Sequence, residues 1–235
     1  MAKILAHRGA SAYRPENTLP AFRLAMEQGA HGFELDIHLS SDGEVVVAHD
    51  LELERVSDGT GRICDHTLAQ LKGFNFNNLF PEQGPCTVPT LGEVYELIAH
   101  TGHIVNVELK SIQEAYPQMP EKLIRLEKEY AMEGRVLYSS FNHHSLMEIR
   151  KLAPGAEIGL LYELHMVHPW VYAEYVSATA IHPHYYTILA APETVPECHK
   201  RGIAVNVWTV DDAQIIKLLA GYGVDSIITN KPDVV

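Results

Sequence analysis

Short apolar runs with a two-residue period alternate along the chain with longer stretches at a helical period. Strands are predicted at 3–6, 32–39, 45–48, 104–109, 136–139, 158–161, 178–182, 203–208 and 226–229. Between most of them lies an amphipathic segment. In 19–28, Leu19, Phe22, Ala25 and Met26 fall on one helical face. Pro20 suits the first turn of that helix and Gly29 its end. Thr90 and Glu93 have the spacing of a capping box ahead of Val94, Leu97 and Ile98. Asp211 and Gln214 resemble a second helix start, followed by Ile215, Leu218 and Leu219. Further helices are expected near 118–131, 142–152, 167–176 and 192–201.

Strands that alternate with helices imply parallel pairing through helical crossovers. About eight such units favour an α/β fold of the (β/α)8 barrel type over an open doubly wound sheet. No GxGxxG or Walker A loop argues for nucleotide binding instead. One stretch, about 50–88, breaks the rhythm with Gly59, Gly61, Gly73, Pro81, Gly84 and Pro85 and the aromatics Phe74, Phe76 and Phe80. It reads as a small insertion after the second barrel strand, with a short helix near 67–71. No other linker marks a boundary, so residues 1–235 are expected to form one domain.

Composition narrows the function. The chain is 46% apolar, enough for a substantial core, yet holds no run of eighteen apolar residues that would span a membrane. The first residues are too short an apolar run for a signal peptide. Three cysteines, Cys64, Cys86 and Cys198, are odd in number and form no CxxC pair, which fits reduced thiols in the cytoplasm. The formal net charge of −12 excludes general nucleic-acid binding. An anionic substrate would have to be attracted locally.

In a barrel of this type the active site lies at the C-terminal ends of the strands. The second strand reads GFELDIHL, so Glu34, Asp36 and His38 share one face and Phe33, Leu35 and Ile37 the other. The apolar face suits the surrounding helices, which turns the carboxylates into the barrel. The run IVNVELK repeats the pattern and adds Glu108 and Lys110. Three inward carboxylates suit a hard cation such as Mg²⁺ or Ca²⁺. Alternatively, Lys110 and Arg8 neutralise them as a salt-bridge network. His7 ends the first strand and His49 the third, so both border the cluster, an arrangement suited to an acid–base pair. Arg8 offers a fork for phosphate oxygens, and Gly9 a permissive backbone for a turn or a close approach. Metal, arginine, lysine and paired histidines together point to phosphoryl chemistry.

The segments HRGASAYRPENT, ELDIHLSSDGEVVVAHD and VELK, with the later SSFNHHSL, IHPHY, VNVWTVD and GVDSIITNKPD, resemble the glycerophosphodiester phosphodiesterase family. The resemblance runs from residue 4 to the end, and the lack of a signal peptide is similar to its bacterial cytosolic branch. It implies that His7 and His49 are the catalytic pair, that Glu34, Asp36 and Glu108 hold one divalent ion (Mg²⁺ or Ca²⁺, with Mn²⁺ also suited), and that Arg8 and Lys110 contact phosphate. Glu16 would support Arg8 or the metal site, and Phe141 and Trp208 would wall the alcohol or glycerol group. The implied reaction is metal-dependent hydrolysis of glycerophosphodiesters, such as glycerophosphocholine, to sn-glycerol 3-phosphate and an alcohol. The implied partner is that small molecule, with no nucleic acid and no stable membrane association, in a monomer or homodimer. A related barrel phospholipase acting on intact phospholipids is the alternative; its motive is an apolar lip from Phe74, Phe76, Leu79 and Phe80. A barrel kept only for binding has no need of both histidines and all three carboxylates.

Overall fold

The computed structural model describes residues 2–234. Eight strands close into a parallel barrel: β1 (Lys3–His7), β2 (Gly32–Leu39), β4 (Ile104–Leu109), β5 (Val136–Ser140), β6 (Glu157–Tyr162), β7 (Ala180–Pro183), β8 (Ala204–Val207) and β9 (Ser226–Thr229). The ring closes where β1 pairs with both β2 and β9. The ninth strand, β3 (Val45–Val47), runs antiparallel to β2 and lies outside the ring. Nine helices accompany the strands among the described residues: α1 (Leu19–Glu27), α2 (Leu68–Leu71), α3 (Leu91–Ile98), α4 (Met119–Glu129), α5 (His143–Leu152), α6 (Pro169–Tyr175), α7 (Tyr185–Ala190), α8 (Thr194–His199) and α9 (Ala213–Tyr222).

Local signals account for several boundaries. Thr18 caps α1 by accepting from the Ala21 amide, Pro20 occupies the first turn, and Gly29 follows at φ +81°. Thr90 and Glu93 form the expected capping box of α3. The start of α9 differs from expectation. Its cap is Asp212, which accepts from the amides of Gln214 and Ile215. Asp211 turns away toward the end of β9, where its carboxylate accepts from Thr229 and Asn230. Helix α7 is absent from the sequence reading. It starts two residues after β7 with no side-chain cap, so neither period nor punctuation announces it.

The two faces of β2 diverge as their alternation requires. Phe33, Leu35 and Ile37 join Val105, Val107 and Leu109 of β4 in the main core, beneath Phe22 and Ala25 of α1 and Val94 and Ile98 of α3. The Phe22 and Phe33 rings lie 5.1 Å apart; burying a side chain of this size contributes about 1.5–3 kcal/mol. The apolar core therefore sits between sheet and helices. Polar side chains (Glu34, Asp36, Asn106, Glu108, Ser139, His182 and Asn206) are buried on the opposite, inward-facing positions. His182 fits because Gly159 on the neighbouring strand lacks a side chain; a Cβ there would lie 2.3 Å from His182 Nε2.

A difference in strand length shapes the mouth. β1 has five residues and leaves β2 after His7 pairs with Glu34. β2 runs on for five more residues, and β3 takes up its vacated edge, pairing Val47 with Ile37. The Ala48 amide then donates to the Asp36 carbonyl at 2.9 Å. The chain that ends in His7 and the chain that ends in His49 thus meet the same edge of β2, two residues apart. Residues 50–88 fold over this edge with a small core of their own, in which Leu53, Val56, Ile63, Leu71 and Phe76 pack under Val46 and Ala48.

Candidate active site

Glu34, Asp36 and Glu108 come together: an oxygen from each lies within 4.8 Å of the others, and all three residues are buried. The register explains it, because Asp36 pairs directly with Glu108 across β2 and β4. Three buried carboxylates repel one another. Burial and then the neighbouring Asp36 and Glu108 charges push Glu34 well above its ordinary value. Burial and Asp36 raise Glu108 as well, against the pull of Lys110. Burial also opposes ionisation of Asp36, but Arg8 and Lys110 outweigh it and hold that carboxyl low.

Two cations reach the cluster. Arg8 Nε lies 3.4 Å from Asp36 Oδ2, and Lys110 Nζ lies 2.9 Å from Glu108 Oε1 and 3.6 Å from Asp36 Oδ1. Glu16 engages the other end of Arg8, 2.9 Å from Nη1, so it supports Arg8 rather than the carboxylate cluster. The salt-bridge network expected as an alternative is therefore present, but it does not saturate the carboxylates. Asp36 Oδ1 is buried without a hydrogen-bond donor, and two of the three acids are displaced toward their neutral forms. An all-oxygen set this compact, with an unpartnered oxygen inside it, fits a hard divalent cation.

The histidines are held differently. His7 Nδ1 lies 2.7 Å from Asn230 Oδ1. The Asn230 amide cannot be flipped, because its nitrogen donates to Asp211 Oδ2 at 2.6 Å and a carboxylate only accepts. His7 therefore donates from Nδ1 and leaves the lone pair on Nε2, which lies 3.8 Å from Glu34 Oε2. Burial, then the Arg8 charge, lowers His7 to about 4. His49 donates from Nδ1 to the carboxylate of Asp50 at 2.6 Å. That bond, with Arg55, holds Asp50 below the usual carboxylate range. One imidazole thus leans on a neutral amide and the other on an anion.

His38, which shares the inward face of β2, has a supporting place. Its Nε2 donates to the His49 carbonyl at 3.1 Å, and Nδ1 accepts from Tyr116 at 3.0 Å. Burial lowers it to about 4. His49, Glu108, Lys110 and Phe141 line one cleft of about 330 Å³ beside the cluster. Phe141 meets Trp208 edge-on at 5.5 Å, and the Trp208 indole donates to the His182 carbonyl at 2.7 Å. The two aromatics form one wall. Arg8 and Gly9 both adopt positive φ, and a Cβ on Gly9 would lie 2.7 Å from Ala21. Gly9 thus serves the turn and a close approach to α1.

The sequence reading passed over four participants. Asn17 donates to Asp36 Oδ2 at 2.9 Å. Asn230 and Asp211 orient His7, and Asp50 orients His49. Asp50 was adjacent to a named histidine; Asn17 and Asn230 lay inside the motifs PENT and TNKPD. The proposed lip is mostly turned in: Phe76 is buried, Phe74 packs against the small core of the insertion, Phe80 is half-buried and Leu79 alone of the four is exposed. Among the described residues no helix is long and apolar enough to cross a membrane.

Comparisons with known proteins point to one enzyme family. The glycerophosphodiester phosphodiesterase of Caldanaerobacter subterraneus is 44% identical over 98% of this chain and 94% of its own. That of Bacillus altitudinis is 36% identical over 99% and 96%. Among solved structures, a glycerophosphodiester phosphodiesterase from Agrobacterium tumefaciens superposes with a TM-score of 0.88 at 27% identity, covering 100% of this chain and 98% of that one. A phosphodiesterase from Oleispira antarctica, solved in complex with the product sn-glycerol-3-phosphate, gives 0.85 at 29% identity over 99% and 94%. The model of the glycerophosphoryl diester phosphodiesterase family matches residues 7–234, and the chain belongs to that family.

Proposed function

We propose that this barrel hydrolyses glycerophosphodiesters to sn-glycerol 3-phosphate and an alcohol, with residues 1–235 acting as one unit that includes the insertion at 50–88. The observation that carries the reading is the meeting of His7 and His49 at one edge of β2, over the carboxylates of Glu34, Asp36 and Glu108. The product bound in the Oleispira structure supports the same substrate class.

A divalent ion held by the three carboxylates, Mg²⁺, Ca²⁺ or Mn²⁺, supplies Lewis-acid polarisation of the phosphoryl group when bound. The chain's own residues do the rest. Arg8 and Lys110 bind the remaining phosphate oxygens, Arg8 through the fork face that Glu16 does not occupy. Phe141 and Trp208 wall the glycerol or alcohol. His7, whose Nδ1 donates to a neutral amide, keeps its free lone pair on Nε2 and acts as base toward the attacking oxygen. His49 is held by its Nδ1–H bond to the Asp50 carboxylate, which leaves Nε2 as the atom that gives a proton to the departing alcohol.

The roles separate with leaving group. Glycerophosphocholine needs a proton on the departing alkoxide, whereas the p-nitrophenyl ester of glycerol 3-phosphate does not. His49→Ala is expected to recover most of its lost rate on the nitrophenyl ester, and His7→Ala to stay slow on both. Equal loss in both variants on both substrates rules out this division of labour. Failure of the wild-type enzyme to release glycerol 3-phosphate from either substrate rules out the reaction.

A further inference from the structure

The insertion reaches the carboxylates that hold His49 and Arg8 through a guanidinium. Arg55 lies in the insertion, five residues beyond Asp50. Its guanidinium grips Glu16 with both terminal nitrogens, Nη1 to Oε2 at 2.9 Å and Nη2 to Oε1 at 2.7 Å. Its Nε donates to Asp50 Oδ2. Each of these carboxylates holds a further group. The second oxygen of Asp50 accepts from His49 Nδ1. Glu16 Oε1 also accepts from Arg8 Nη1 at 2.9 Å. The result is an unbroken run of hydrogen bonds and ion pairs: His49, Asp50, Arg55, Glu16, Arg8, Asp36.

We propose that Arg55 is a positioning residue that sets the aim of His49 and of Arg8 together, and so couples the insertion to the chemistry. The inference rests on the acid role given to His49 above. Without Arg55, the Asp50 carboxylate keeps only its bond from His49 Nδ1, so neither that carboxylate nor the ring it holds has a fixed anchor. Glu16 would lose two of its three hydrogen bonds and pull on Arg8 from a less fixed place. The geometry also explains the residue type. One planar fork serves two carboxylates along three N–H directions, and a lysine ammonium on its flexible stem does not reproduce that arrangement. The insertion has a second grip on the same loop, where Gln83 donates to the Tyr13 carbonyl at 2.7 Å. Loss of Arg55 therefore loosens the alignment without releasing the insertion. The Arg55 side chain is 40% exposed, so its removal leaves no cavity in the core.

The test compares Arg55→Met, Arg55→Lys and Asp50→Asn with wild type on two substrates, glycerophosphocholine and the p-nitrophenyl ester of glycerol 3-phosphate. In Arg55→Met, kcat on glycerophosphocholine should fall roughly 10–100-fold, the usual scale for loss of a group that orients a catalytic ligand. The fall on the nitrophenyl ester should be several-fold smaller, because that leaving group needs no proton from His49. KM should rise for both substrates through the loosened Arg8. Arg55→Lys should resemble Arg55→Met, since charge without the fork is not enough. Asp50→Asn should share the substrate-dependent fall in kcat but leave KM near wild type. Melting temperatures of all variants verify folding. Equal kcat losses on the two substrates in a folded Arg55→Met protein, or wild-type rates in Arg55→Lys, would overturn the proposal. Inactivity of the wild type on both substrates would instead remove the functional reading on which it stands.

Discussion

His182 gives the fold an acid sensitivity that is measurable at a single residue. Its ring is fully buried in the barrel, and its Nε2 accepts from the Asn206 amide at 2.9 Å. Nδ1 has no partner. Burial lowers its pKa to about 3, from an ordinary 6.5. In the unfolded chain the imidazole takes up its proton as pH falls through 6.5, while in the folded chain it does so only near 3. Between those values the unfolded state binds more protons, so stability is present above pH 6.5 and is lost progressively as pH drops toward 3. The loss is about 1.4 kcal/mol per pH unit, or on the order of 2–3 kcal/mol between pH 7 and pH 4.5. His182→Gln isolates this contribution. Glutamine still presents an acceptor toward Asn206 and does not titrate. It carries its own packing cost, which is independent of pH. Urea unfolding of both proteins at pH 7, 6, 5 and 4.5 would give the difference in stability at each pH. That difference should shift by about 2–3 kcal/mol in favour of the variant across the series, well beyond the scatter of linear extrapolation. Titration of Glu34 and Glu108 affects both proteins alike and cancels. A difference that stays constant with pH would refute the reasoning, since it would mean that the ring ionises in the fold as readily as in water.

Three further expectations address the site and the turn that forms it. Asp36→Asn keeps the size of a side chain that touches Arg8, Lys110 and Asn17, but removes a full charge from the cluster. It should raise the divalent-ion concentration needed for half-maximal activity by roughly tenfold or more, and unaltered metal dependence would make the acid structural. Gly9→Ala must accommodate φ +80° and a Cβ at 2.7 Å from Ala21; destabilisation of about 2–4 kcal/mol in chemical unfolding follows from overpacking and left-handed strain, and a cost below 1 kcal/mol would show that the turn yields freely. A glycerophosphodiester lacking the glycerol 2-hydroxyl distinguishes attack by that hydroxyl from attack by water. With His7 acting on the 2-hydroxyl, the deoxy substrate should lose at least 10²-fold in kcat, and normal turnover would assign the attack to water.

Much of this architecture was written in short-range pattern. The alternation in GFELDIHL fixes which side chains face the barrel, because a strand's period is two and its neighbours tolerate only apolar contacts on the helix side. The nine strands and most helices were legible for the same reason. The companion residues were not. Asn230 meets His7 across 223 positions, and Arg55 meets Glu16 across 39. Such contacts depend on how the ring closes and on how the insertion lies, neither of which leaves a periodic trace. The approach of His49 to His7 has a similar origin. It follows from β1 being shorter than β2 and from β3 filling the vacated edge. Asp211 shows the opposite failure: a helix-start pattern was present, but the true cap was its neighbour Asp212, and Asp211 was already committed to Asn230.

The claim on which everything else depends is that these carboxylates and histidines perform metal-assisted hydrolysis of a glycerophosphodiester. Release of sn-glycerol 3-phosphate from glycerophosphocholine tests it most directly, measured before and after exhaustive chelation and then with Mg²⁺, Ca²⁺ and Mn²⁺ returned singly. Release should cease on chelation and return with at least one of these ions, while Asp36→Asn should need more of it. No release from the wild-type protein with any of the three ions would contradict the reading.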